Sequence, residues 1–109
     1  MKPIWTEQAT LGWKEVAAYI LQDFGRQGLR EFKQRTKENE KFIAEFPGAC
    51  EVAWKDKETG VEYHKCQIYR KSIMLYFVID GKVHIADFWD VRKDLANSIE
   101  ESIKINTTK

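Results

Sequence analysis

Six of the cationic or proton-transferring side chains in the second half of this chain are candidates for chemistry. They are His64, Lys65, Arg70, Lys71, His84 and Arg92. An arginine presents a planar fork of N–H donors that suits bidentate contact with a phosphate group. A histidine titrates near neutral pH and can move protons. If the protein performs chemistry on phosphates, His64, Arg70 and Arg92 are the candidate catalytic residues.

These residues also have purely structural interpretations. Arg92 could pair with a neighbouring carboxylate, either Asp90 or Asp94. Lys65 and Lys71 could be solvated lysines that discourage edge-to-edge pairing of strands. Both interpretations compete with the phosphate-contacting one, and sequence spacing does not choose between them.

Length and composition limit the class of protein. With 109 residues, 43% hydrophobic and 32% charged, the chain is predicted to be a single domain spanning 1–109 with an ordinary globular composition. No apolar run approaches the ~18 residues that a membrane span needs. The first residues lack a signal peptide's apolar segment, so a cytoplasmic location is predicted. The net charge of +1 does not indicate a nucleic-acid-binding protein, so any cationic site must be local.

The two cysteines, Cys50 and Cys66, are too few for a disulfide framework and lack metal-ligand spacing. With only two histidines and no Cys-x-x-Cys motif, a structural zinc site is not expected. The sequence therefore predicts neither a metal nor a cofactor.

Helical periodicity dominates the first half of the chain. Apolar residues recur at three- and four-residue spacing at Trp13, Val16, Ala17, Ile20, Leu21 and Phe24. Thr6 is the predicted N-cap and Gly25 the predicted stop. A second helix is predicted from about residue 27 to 46, where Pro47 ends it.

The rest of the chain reads mainly as strands. Short strands are predicted at 2–6, 51–55 and 61–68, followed by a hairpin and a C-terminal helix at about 94–105. The predicted architecture is α+β, in the order β-α-α-β-β-β-α: an N-terminal helical hairpin packed on a small, mostly antiparallel sheet.

Asp80-Gly81 separates two β-rich runs and is a strong signal for a type I′ hairpin turn. That turn predicts four opposed pairs, which are Ile79 with Lys82, Phe77 with His84, Leu75 with Ala86, and Ile73 with Phe88. His84 would then be a histidine at the rim of the core.

The two faces of this hairpin are both apolar. We expect the helices to cover the face carrying Leu75, Phe77 and Phe88. The opposite face is too apolar to stay bare, which favours burial by a partner protein, a second copy of the chain or the C-terminal helix. The predicted partner-binding residues are Met74, Tyr76, Ile85, Trp89 and Arg92.

Several local motifs resemble the RelE/ParE superfamily of bacterial toxins, which includes the plasmid stabilisation system toxins. The likeness covers about residues 4–95. Its motifs are Ile4-Trp5-Thr6-Glu7-Gln8-Ala9, Tyr19-Ile20 with Phe24-Gly25, Phe46-Pro47-Gly48, Tyr63-His64-Lys65, Leu75-Tyr76-Phe77-Val78-Ile79, and Phe88-Trp89-Asp90-Val91-Arg92-Lys93-Asp94. The ParE-like members with an aromatic-Asp-x-Arg ending are the most similar.

This resemblance implies a toxin of a type II toxin–antitoxin system, which blocks an essential target such as DNA gyrase and is neutralised by a cognate antitoxin. One alternative is a ribosome-dependent mRNA endonuclease of RelE type, and another is a non-toxic interaction module. Two positions depart from the family pattern. His64 stands where these toxins usually have arginine, and Leu95 replaces a common proline.

Overall fold

The computed structural model describes residues 2–90, which form an α+β fold with one long helix packed on a five-stranded mixed sheet. The elements are β1 (Ile4–Trp5), α1 (Glu7–Glu45), β2 (Glu51–Lys55), β3 (Glu62–Tyr69), β4 (Ser72–Ile79) and β5 (Lys82–Asp90). The strand order is β1-β5-β4-β3-β2; β1 runs parallel to β5 and the other pairs are antiparallel. The predicted helix at 94–105 lies outside the described residues.

The predicted order β-α-α-β-β-β-α is not confirmed. One helix stands where two were predicted, and the sheet has five strands, which are the five predicted segments but one more than that order contains. The prediction of an α+β domain with a mostly antiparallel sheet is confirmed.

The helix α1 is interrupted at Gly25, whose φ of 69° and ψ of −166° are non-helical, and the chain folds back on itself there. In a straight helix, residues 13 and 36 would be roughly 35 Å apart. The Trp13 indole N–H nevertheless donates to Thr36 Oγ1 at 3.0 Å. The N-terminal arm (7–24) and the C-terminal arm (26–45) therefore lie against each other, and the predicted stop at Gly25 falls at the break.

The start of α1 is fixed by the predicted N-cap. The Thr6 hydroxyl oxygen accepts a hydrogen bond from the Ala9 amide at 3.0 Å, and the Thr6 hydroxyl donates to the carbonyls of Ile85 and Ala86. One side chain thus satisfies a free helix amide and also ties the helix start to β5.

The β4–β5 hairpin has the predicted turn. Asp80 and Gly81 have φ values of 52° and 76°, the positive values that a type I′ turn requires. The predicted pairs Ile79–Lys82 and Phe77–His84 are confirmed.

Beyond those pairs the predicted register is wrong. The register shifts between Leu75 and Tyr76, so that Leu75 lies opposite Asp87 and Ile73 lies opposite Trp89. Ala86 is the extra residue, as in a β-bulge. Because of this shift, Phe88 lies on the same face as Ile85 instead of the face of Ala86.

The predicted assignment of the covered face is also wrong. The helix packs against the face that was expected to be open, where Met74, Tyr76 and Ile85 are fully buried with Val16, Ile20, Phe32 and Ile43 of α1. Leu75, Phe77 and Trp89 belong to a second buried cluster on the other face, and no residue of α1 is part of it. Of the three residues expected beneath the helix, only Phe88 is there.

Candidate functional site

The residues predicted to bind a partner are buried in the structure. Met74, Tyr76 and Ile85 have no exposed surface because α1 covers them. Trp89 lies in the second cluster and is 3% exposed. These four side chains belong to the two cores of the fold. The prediction that they form an open partner-binding surface is therefore wrong. Arg92 lies outside the described residues.

The predicted catalytic residue His64 lies in the middle of β3, opposite Val52 and Tyr76. Its ring stacks on the Tyr76 ring, with the centroids 4.9 Å apart and the planes 12° apart. Its Nδ1 is 2.8 Å from the carbonyl oxygen of Cys50. The imidazole is thus half-buried and held on both sides, an arrangement suited to a structural role.

Tyr76 connects this region to the end of the helix. Its hydroxyl donates to the carbonyl of Pro47 at 2.7 Å. Burial raises the pKa of the Tyr76 phenol, because the charged form loses its hydration. The hydroxyl therefore stays protonated at neutral pH and acts as a donor that holds the Pro47 turn against the sheet.

The second predicted catalytic residue, Arg70, lies in the turn between β3 and β4 and has a positive φ of 49°. Its guanidinium lies 4.2 Å from the centre of the Phe24 ring, and its Nε donates to the Tyr69 hydroxyl at 3.2 Å. The Tyr69 hydroxyl in turn donates to Glu31 Oε2 at 2.9 Å. These contacts join the β3–β4 turn to the region of the break in α1.

Hydrogen bonds with Tyr69 stabilise the charged forms of both Glu31 and Arg70. The hydrogen bond from Tyr69 lowers the pKa of Glu31, and the hydrogen bond to Tyr69 raises the pKa of the Arg70 guanidinium. Both groups are therefore ionised at neutral pH. Arg70 is exposed and held over an aromatic ring, which leaves part of its donor fork accessible to an anion.

The structure does not bring His64 and Arg70 together. His64 lies in the middle of β3 and Arg70 follows the last residue of that strand, so roughly 15–20 Å of extended chain lies between their Cα atoms. Lys71 is exposed in the turn beside Arg70. Lys65, which was expected to be a solvated strand lysine, forms an ion pair with Glu51 at 3.3 Å. His84 stacks on Phe77 with the ring centroids 5.0 Å apart, which fits its predicted place at the rim of the core.

A disulfide between Cys50 and Cys66 is a feature that the sequence interpretation did not predict. It joins the segment before β2 to β3, with the Cα atoms 5.6 Å apart. Two cysteines 16 residues apart carry no sequence signal that distinguishes a disulfide from two thiols. Since disulfides persist mainly in oxidising compartments, this bond does not favour the predicted cytoplasmic location.

An exposed apolar surface lies where α1 ends, and the sequence interpretation also missed it. The rings of Phe42 and Phe46 are 5.6 Å apart and border an open hollow with Pro47. Phe42 is 45% exposed and Phe46 is 52% exposed. We call these three residues the Phe42–Phe46 surface. The outward-facing Phe42 could have been found from its position beside Ile43, which is the buried residue of that turn.

The Phe42–Phe46 surface lies at the end of α1, and the next element along the chain, β2, is an edge strand of the sheet. β2 is the last strand of the sheet, so one side of its backbone pairs with no other strand of the described chain. Val52 of β2 lies opposite His64 and is 45% exposed. An open edge strand that carries an exposed apolar side chain such as Val52 is the arrangement that accepts an added strand from a partner.

Within residues 2–90, no group of three or more His, Cys, Asp or Glu side chains could hold a metal ion. In the same residues, no helix is long and apolar enough to cross a membrane. No protein-family description matches this chain, and no curated protein matches it either.

Proposed function

We propose that this protein is the toxin of a bacterial type II toxin–antitoxin system, with a RelE/ParE-like fold and ParE-like action. It binds an essential protein target, such as DNA gyrase, and a cognate antitoxin neutralises it. The motifs between residues 4 and 95 carry the resemblance to this family. The α+β layout, with the first strand beside the last described strand and a long bent helix on one face, supports it.

The separation of His64 and Arg70 favours inhibition by binding over RNA cleavage. An RNA-cleaving site needs cations and a proton-transferring group around one phosphate in the transition state. Here the imidazole is held between Tyr76 and Cys50 in the middle of β3, and Arg70 lies in the turn that follows this strand. This separation is the observation that carries the choice of mechanism.

The Phe42–Phe46 surface and the β2 edge are the proposed antitoxin site. An extended antitoxin segment pairing with β2 would satisfy the free backbone groups of that strand, and its apolar side chains would cover Phe42, Phe46 and Val52. Burial of large aromatic side chains at the centre of an interface commonly supplies most of the binding energy.

Induced expression tests the toxin assignment. We expect the chain to arrest growth, and co-expression of an antitoxin encoded by the neighbouring gene to restore it. Normal growth with expression confirmed would contradict the proposal and favour the non-toxic interaction module.

Paired variants test the antitoxin site. We expect Phe42→Asp/Phe46→Asp to remain toxic but to escape neutralisation. The control is Leu21→Asp, which places a charge at another exposed apolar position, near the break in α1. That variant should still be neutralised. Neutralisation of both variants would place the antitoxin elsewhere.

A further inference from the structure

A cavity of about 300 Å³ lies between the two arms of α1, beside β1. Its walls include two tryptophans, three lysines and one glutamate: Trp5, Trp13, Lys14, Lys33, Lys37 and Glu40. The volume is at the lower end of the range for sites that hold small molecules. None of these residues belongs to the proposed antitoxin site.

The two indoles are held rigidly. The Trp5 ring packs on Phe88 with the centroids 4.9 Å apart, and the Trp13 ring stacks on Phe32 at 5.2 Å. The Trp5 indole N–H donates to Glu40 Oε2 at 2.9 Å, and the Trp13 indole N–H donates to Thr36. Because the polar edge of each ring is satisfied, what the rings offer a ligand is flat apolar area for stacking.

The surface that lines the cavity is almost wholly apolar, and three exposed lysines give its rim a positive charge. In the described part of the chain, no carboxylate forms an ion pair with Lys14, Lys33 or Lys37. Glu40, the single acidic residue of the lining, accepts the hydrogen bond from Trp5. Lys33 and Lys37 are also four residues apart on one helix, a spacing at which like charges repel. A bound anion would relieve that repulsion.

We propose that this cavity binds a free nucleoside monophosphate. The base stacks against the indoles, as bases stack on aromatic side chains in other proteins. The phosphate lies among the three ammonium groups, which act as point charges for phosphate. The small volume favours a single nucleotide over a dinucleotide. This site is independent of the toxin assignment, because it uses neither the β2 edge nor the candidate catalytic residues His64 and Arg70.

Calorimetric titration of the purified full-length chain with AMP, at low ionic strength, tests the proposal. We expect saturable one-to-one binding that weakens as salt is added. Adenosine and inorganic phosphate should each bind much more weakly than AMP, because each supplies only half of the recognised chemistry. The proposal is overturned if AMP does not bind, or if adenosine or inorganic phosphate alone binds as well as AMP. Tighter binding of a short RNA oligonucleotide than of AMP would also overturn it.

A charge-matched pair of variants locates the site. We expect Lys33→Gln/Lys37→Gln to weaken AMP binding by about tenfold, since the proposed pose places the phosphate at both ammonium groups. The control Lys57→Gln/Lys82→Gln removes two exposed lysines outside the cavity and should bind AMP as the parent does. Equal affinities of the two double variants would overturn the assignment. All four are exposed lysines, so folding should be preserved, and circular dichroism checks this.

Discussion

Gly12 of α1 lies directly over Asp87 of β5, so closely that a Cβ at residue 12 would overlap Asp87 Oδ1 and come within 2.6 Å of the Phe88 carbonyl oxygen. Asp87 follows the bulged Ala86, and its Oδ1 accepts a hydrogen bond from the Phe88 amide at 2.8 Å. The N-terminal arm of the helix therefore rests on the irregular part of β5, and the absence of a side chain at Gly12 makes this approach possible.

Gly12→Ala should destabilise the protein. Alanine favours a helix over glycine by up to about 1 kcal/mol, but the steric overlap with β5 should outweigh this and give a net loss of about 1–3 kcal/mol. Gly48→Ala is the matched control, because a Cβ there meets nothing within 4 Å. Urea unfolding measures both variants, and an unchanged or increased stability of Gly12→Ala would contradict the close approach.

Leu75→Ala should lower the free energy of unfolding by about 2–5 kcal/mol, as for other buried leucines replaced by alanine. Leu75 is fully buried in the second cluster, which the helix does not reach. Leu11→Ala is the control, because Leu11 is 62% exposed, and a change within about 0.5 kcal/mol is expected there. Equal effects of the two substitutions in urea unfolding would mean that Leu75 is not in a core.

Reduction of the Cys50–Cys66 disulfide should destabilise the protein by about 3 kcal/mol, the entropic estimate for a loop of this length. The measurement is urea unfolding with and without dithiothreitol. Cys50→Ser/Cys66→Ser is the control, and it should unfold at one urea concentration under both conditions. A parent protein that does not respond to reductant would show that the two cysteines are unbonded in solution.

Tyr76 should give the protein an alkaline limit of stability. The pKa of the Tyr76 phenol is raised in the folded state, so the unfolded chain loses this proton at a lower pH than the folded protein does. The stability that the protonated phenol contributes is fully present below about pH 10 and is lost as the pH rises through the folded pKa. Tyr76→Phe should remove that part of the alkaline decline and cost about 1 kcal/mol at neutral pH through the lost bond to Pro47. Tyr19→Phe, at an exposed phenol, should retain the decline. Identical pH profiles for the two variants would contradict this assignment.

Local signals in the sequence predicted the local structure correctly. The Thr6 cap, the break at Gly25 and the Asp80-Gly81 turn each depend on the conformational preference of one or two residues, and each is where it was predicted. The alternation of side chains also grouped Ile73 with Leu75 and Phe77 correctly.

The choice of face could not be predicted in the same way. Both faces of β4 are apolar and both are buried, so hydrophobic alternation separates the two groups without saying which one meets the helix. The bulge at Ala86 has no distinctive residue, and it moves Phe88 to the other group. The partner-binding prediction depended on both points and therefore selected residues of the core.

The integrity of translated messages in the first minutes after induction tests the central claim most directly. If the protein acts by binding its target, growth should stop while full-length transcripts persist, a DNA-damage response should follow, and His64→Ala should still arrest growth. Rapid cleavage of translated messages, abolished by His64→Ala in a folded protein, would contradict this account and establish the endonuclease mechanism.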